Sequence, residues 1–99
     1  MKAIILLTRR EGDTREGFRR WWLEEHAPLA RELPRLRKLV FNLVEGDEPH
    51  DGVAELWFDS VEEFEAAYAS EIGQRVAADS IAHIDARVRL IVAEHRQLG

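Results

Sequence analysis

Apolar and polar positions along the chain change period several times, and those changes mark its elements. Residues 2–8 (KAIILLT) are aliphatic and β-branched with no polar alternation, the pattern of a strand buried on both faces. After a loop at 9–13 the period becomes helical. Phe18, Trp22 and His26 recur every four residues, and Trp21, Glu25 and Leu29 form the neighbouring row, so one helix face carries large aromatics and ends at an imidazole. Thr14 is the candidate N-cap, with Gly17 standing where a full capping box needs Glu. Pro28 has no backbone N–H and disfavours helical geometry at Ala27. The helix is therefore predicted to bend or stop near His26, with a short second piece from Ala27 to about Leu33, ended by Pro34.

Residues 36–44 (LRKLVFNLV) read as a second strand, with Lys38, Val40, Asn42 and Val44 alternating against Leu39, Phe41 and Leu43. A turn rich in Gly, Pro and Asp at 45–52 leads to a third strand at 53–58 (VAELWF), where Glu55 shares a face with Val53 and Trp57. Ser60-Val61-Glu62-Glu63 is a complete capping box, opening a helix through Phe64, Ala67 and Tyr68. Ser70 is placed to cap a further helix from Glu71 to about Ile84, with Ile72, Val76, Ala77 and His83 on its inner side and Gly73 weakening its first turn. Residues 87–93 (RVRLIVA) form the last strand before a polar tail. The order β-α-β-β-α-β predicts one α+β domain over residues 1–99 with a ferredoxin-like fold, an antiparallel sheet with helices on one face.

Such a sheet has one face without helices, yet strands one and three put apolar groups on both faces. Left in water, the second face would expose more than the roughly 300–600 Å² usual for the largest patch on a monomer. A second copy packed sheet-to-sheet covers it, so a homodimer is expected.

Composition narrows the chemistry. The chain has no cysteine, which removes disulfides, thiolate nucleophiles and Cys-ligated metals. Net charge is −5 with both signs interspersed, and the basic residues between Arg9 and Arg20 are diluted by acids, so nucleic-acid binding is not expected. No apolar stretch approaches the roughly 20 residues of a membrane span, and a cytoplasmic protein is expected. The histidines are scattered without ligand spacing and the glycines stand alone, which argues against a metal site and against a phosphate loop.

His26 is the first candidate for chemistry: a titratable ring at the end of an apolar row, where a helix breaks, can be half-buried and still face a cavity. It can equally be a packed, hydrogen-bonded core residue. Glu55 is the second, because a carboxylate among apolar strand residues needs a partner or a raised pKa. It can orient His26, serve as a second acid, or pair with an Arg across a dimer interface. Asn42 is a polar intruder in its strand.

With these elements placed, the chain resembles the EthD domain family. The resemblance rests on FRRWWLEEHAPL, LPRLRKLVFNLV, DGVAELWFDSVEEFEAAYAS and the closing VAEH, of which Trp22-x3-His26-Ala27-Pro28-Leu29 and Asp51 to Ser60 are the most specific. It implies membership of the dimeric α+β barrel superfamily, beside muconolactone methylisomerase-type proteins, small antibiotic-biosynthesis monooxygenases and haem-degrading relatives. The family is named for a protein associated with ethyl tert-butyl ether degradation. In isomerase-like relatives a His at the end of the first helix is a proposed proton-transfer group, and His26 holds that motif position. Family members often carry Phe-Ile-Asp where this chain has His83-Ile84-Asp85, so His83 adds a polar group to a normally apolar wall or tips outward to water.

The resemblance implies a cofactor-independent isomerase or dehydratase with His26 as general acid/base, acting on a small aromatic or lactone-like substrate; Glu55, from its place in the strand, is the second candidate catalytic residue. Trp22, Phe41, Asn42, Trp57, Tyr68 and His83 are the candidate substrate contacts, and no cofactor is expected. Two other readings stand beside it: a non-catalytic dimeric small-ligand binder or accessory protein of a degradation pathway, and a haem-using monooxygenase or haem degrader.

Overall fold

A computed structural model describes residues 1–99. The elements run β1 (Lys2–Arg9), α1 (Arg15–Arg20), a π-helical turn (Trp21–His26), α2 (Ala27–Ala30), β2 (Lys38–Leu43), β3 (Gly52–Trp57), α3 (Val61–Ala69), α4 (Glu71–His83) and β4 (Ile84–Val92). The strands form one antiparallel sheet in the order β2-β3-β1-β4. This is the expected ferredoxin-like α+β arrangement.

Strand alternation divides the sheet into two faces. Ala3, Ile5 and Leu7 of β1 and Gly52, Ala54 and Leu56 of β3 are buried beneath the helices. Ile4, Leu6, Val53, Glu55 and Trp57 turn to the open face, where Val88 and Leu90 of β4 remain 42% and 44% exposed. The two-faced strands are as expected from the sequence, and the open face carries the apolar side chains that led to the dimer expectation.

The caps form as the sequence implies. Ser60 Oγ accepts from the Glu63 N–H, Ser70 Oγ from the Gly73 N–H, and Thr14 Oγ1 from the Gly17 N–H even though its capping box is incomplete. Two glycines are required by close approach. A Cβ on Gly52 would sit 2.7 Å from the Trp22 ring, and one on Gly73 would sit 2.0 Å from the Ala67 carbonyl oxygen. Gly73 thus belongs in α4 because α3 and α4 meet at a tight corner there. The buried row of α4 is Gly73, Val76 and Ser80, while Ile72, Ala77 and His83 are only half-buried.

The first helix departs from expectation. It does not stop at His26; His26 and Ala27 both keep right-handed helical geometry and the helix continues to Ala30. Pro28 cannot donate to the Glu24 carbonyl, so the i→i−4 ladder fails at that point. The chain widens instead of breaking, and the Ala27 N–H bonds to the Trp22 carbonyl five residues back. β4 also begins three residues earlier than predicted, because Ile84 becomes extended directly after α4 and pairs with Arg9 across a bulge at Asp85 in β4.

Candidate functional site

The π-helical turn sets the site. Its i→i+5 bonding brings Trp21 and His26, five residues apart, into ring contact at 4.9 Å. Trp21, Trp22 and His26 are all buried, with Trp22 wholly so and His26 5% exposed. An unbroken α-helix separates positions five apart by more than a full turn and would not align the Trp21 and His26 rings in this way.

Both nitrogens of His26 are engaged by neighbouring residues of α4. Nδ1 lies 2.8 Å from Asp79 Oδ2, and Nε2 lies 3.3 Å from Ser80 Oγ. The Asp79 carboxylate accepts, so Nδ1 carries the proton and the Nε2 lone pair faces the Ser80 hydroxyl, which donates to it. The same Asp79 Oδ2 also accepts from Trp21 Nε1 at 3.2 Å, fixing the carboxylate against both rings. Burial pushes the His26 pKa below its ordinary value; the hydrogen bond and charge of Asp79 oppose this, while Arg87 and His83 reinforce it. The ring is therefore neutral near pH 7 and able to take a proton at Nε2.

His26 opens onto a cavity of about 20 Å³ between the sheet and the helices. That is room for about one water. Its apolar walls include Leu7, Trp22, Leu39 and Phe41, and its polar groups are His26, Ser80, Tyr68 and Arg87. Phe41 lies flat on Trp22, with ring centroids 4.1 Å apart and planes 7° apart. Outside this stack is a groove of about 490 Å³ lined by Leu23, Ala27, Arg31, Leu36, Arg37 and Lys38. Leu39 and Phe41 line both spaces, so they form the partition between groove and cavity.

The structure brings together His26, Trp22, Phe41 and Tyr68. His83 stands beside them rather than among them: its ring stacks on the outer side of Trp21 at 4.6 Å, its Nδ1 is 2.8 Å from the Asp79 carbonyl oxygen, and its side chain is 42% exposed. Glu55, Asn42 and Trp57 lie on the opposite face of the sheet and do not share the cavity. Glu55 is 3.2 Å from Lys2 Nζ, Asn42 Nδ2 donates to the Val53 carbonyl, and Trp57 Nε1 donates to Glu94 with Lys2 and Lys38 over its ring. Glu55 sits one position from the buried Ala54 and Leu56, and strand alternation sends it the other way.

Sequence reasoning missed Asp79, Ser80 and Arg87. Ser80 carried a signal, since it falls four residues after Val76 on the buried row of α4. Asp79 carried none: it reads as an ordinary exposed helix carboxylate until the π-helical turn places His26 against it. Arg87 lies opposite Leu7 in the β1–β4 ladder and so points under the helices, which depends on a register the sequence does not give.

The chain matches the EthD domain model over residues 10–87. Solved structures share its fold. An ethyl tert-butyl ether degradation (EthD) family protein from Bacillus halodurans is 20% identical, with a TM-score of 0.76 over 93% of this chain and 97% of that one. SnoaB, a cofactor-independent oxygenase from Streptomyces nogalater, is 15% identical, with a TM-score of 0.67 over 98% of this chain and 96% of that one. A dimeric ferredoxin-like protein of unknown function from Thermobifida fusca is 16% identical, with a TM-score of 0.72 over 90% and 85% of the two chains. No curated protein matches the chain at a significant level. The match to the family model extends from the end of β1 to the cavity-lining Arg87 and takes in the whole His26–Asp79 pair: this chain belongs to the EthD domain family.

Proposed function

We propose that this protein is a cofactor-independent enzyme of small-molecule metabolism that moves a proton within a small aromatic or lactone-like substrate, with His26 as general acid/base. The observation that carries the reading is the His26–Asp79 pair: Nδ1 bonded to a carboxylate at 2.8 Å, in a ring that lines a mostly apolar cavity with Nε2 against the Ser80 hydroxyl. A neutral, oriented imidazole in a dry site is suited to taking a proton from carbon next to a carbonyl. The C–H bond breaks, the proton passes to Nε2, and the electron pair moves onto the carbonyl oxygen as an enolate. The imidazolium then returns the proton at another carbon, which gives isomerisation, or to a departing hydroxyl, which gives dehydration. Asp79 stabilises the imidazolium and holds its tautomer.

A cavity of about 20 Å³ is too small for such a substrate, so Phe41 must swing off Trp22 and join the cavity to the outer groove. Ser80 is the hydroxyl that substrate displaces from Nε2. Asp79, His26 and Ser80 also have the connectivity of an acyl-transfer triad. Ser80, however, lies within α4, where neighbouring backbone N–H groups are committed to the helix and cannot form an oxyanion hole. We therefore assign it the lesser role.

The working unit is a homodimer joined through the open sheet face, where Ile4, Leu6, Val88 and Leu90 are gathered. The Thermobifida fusca protein of the same fold is dimeric, which supports this assembly. Glu55 and Lys2 lie on that face as an ion pair and contribute to dimer packing rather than to chemistry.

The test is a screen of lactones, enols and hydroxylated aromatics for turnover, repeated with His26→Gln. We expect kcat/KM to fall by roughly 10²–10⁴-fold, the usual worth of a positioned acid/base. Equal turnover by both proteins removes His26 from the mechanism. Tight binding without turnover by either protein favours the accessory binder.

A further inference from the structure

We propose that Arg87 and Tyr68 form an anion subsite inside the cavity, and that the substrate is an organic anion, an aromatic or lactone-type acid whose carboxylate Arg87 holds while His26 moves the proton. This rests on the proton-transfer reading for its chemistry but not for its binding.

Arg87 is half-buried and lines the cavity with His26, Tyr68 and Ser80. It has no ion pair or hydrogen bond with any protein group, and the charges that act on it are Arg89 and Tyr68, with no carboxylate among them. The Tyr68 hydroxyl likewise has no protein acceptor, and burial raises its pKa, so it stays a neutral O–H donor. The cavity therefore presents two donors with nothing to donate to, in surroundings that are otherwise mostly apolar. A guanidinium partly withdrawn from water without a partner carries a desolvation cost, and an anionic ligand relieves it.

The placement is not an accident of a basic surface. The chain carries a net charge of −5, yet Arg87 and Arg89 sit two residues apart on the helix side of β4, and Arg31, which is in no ion pair, lines the outer groove. A path from the groove to the cavity is thus positive within an acidic protein, which draws anions and repels cations. Guanidinium and carboxylate geometries also match in a two-bond fork, which orients a flat acid against the Phe41 and Trp22 rings.

The experiment compares binding of benzoate and its neutral isostere benzamide by calorimetry, with the full-length protein, so that turnover plays no part. Wild type is expected to bind benzoate at least about tenfold more tightly. Arg87→Met should abolish that preference, Arg87→Lys should restore part of it, and Arg75→Met, an exposed position on α4 away from the cavity, should leave it intact; thermal melts of each variant establish that it is folded. Equal binding of the two probes by wild type, or a preference retained in folded Arg87→Met, overturns the proposal. His26→Gln should keep the preference, so a failed proton-transfer mechanism with intact anion selectivity is told apart from a failed subsite.

Discussion

A single carboxylate decides what His26 can do. The imidazole is pulled two ways: burial lowers its pKa, and the bond to Asp79 raises it. Burial prevails, so the neutral ring persists to a pH below the ordinary His value of about 6.5. As a general base it loses activity when pH falls through that lowered pKa. Asp79→Asn removes the negative charge and the charge-assisted hydrogen bond that oppose burial, so the acid limb of kcat/KM should move to still lower pH. The plateau should fall on the order of 10²-fold or more, because the tautomer is no longer held. A pH–rate profile of the two proteins checks both effects; an acid limb that moves upward would contradict the assignment. His83, by contrast, stacks on the back of Trp21 and bonds to Asp79 rather than lining the cavity, and should tune the site rather than serve it.

At the scale of elements, the site depends on how α4 is seated and on the π-helical turn. α4 supplies Asp79 and Ser80, and its first turn is pressed against the end of α3 at Gly73. Gly73→Ala places a methyl against the Ala67 carbonyl, so the corner must open; we expect a loss of about 1–3 kcal/mol or more, read as a lower urea midpoint at unchanged m. The π-helical turn explains where the sequence was readable and where it was not. The helical rows ending at His26 were legible from spacing, and so was the special effect of Pro28. What spacing could not show was that the chain answers a missing N–H by widening, because stopping and widening both relieve the same clash and only packing chooses between them. Once Trp21 and His26 are aligned, Asp79 becomes their common partner, and that pairing across the fold leaves no mark on local sequence.

For the whole molecule, the strand pattern carried most of the information. Alternation in β1 and β3 revealed two apolar faces, and the element order then allowed few topologies. The same alternation sent Glu55, Asn42 and Trp57 away from the cavity, which could be seen only once strand three was oriented against the helices. It also sends Arg87 inward, where a reading of RVRLIV as a half-exposed edge strand leaves it unnoticed. The open face yields the assembly prediction. At micromolar concentration, sedimentation should give a dimer, and Leu90→Lys should give a folded monomer by placing a charge among Ile4, Leu6 and Val88. A monomeric wild type would contradict the sheet-to-sheet assembly.

If His26 moves protons on and off carbon, the protein exchanges a substrate C–H with solvent. Solvent deuterium exchange tests it whatever the product of the reaction. Small aromatic acids and lactones with an acidic C–H are incubated in D2O and followed by proton NMR. Wild type should speed the loss of one C–H signal from at least one such acid, and His26→Gln, folded by its melting curve, should do so at least about 10²-fold more slowly. Exchange at equal rates in the two proteins, or none in wild type with a compound shown to occupy the cavity, would contradict it.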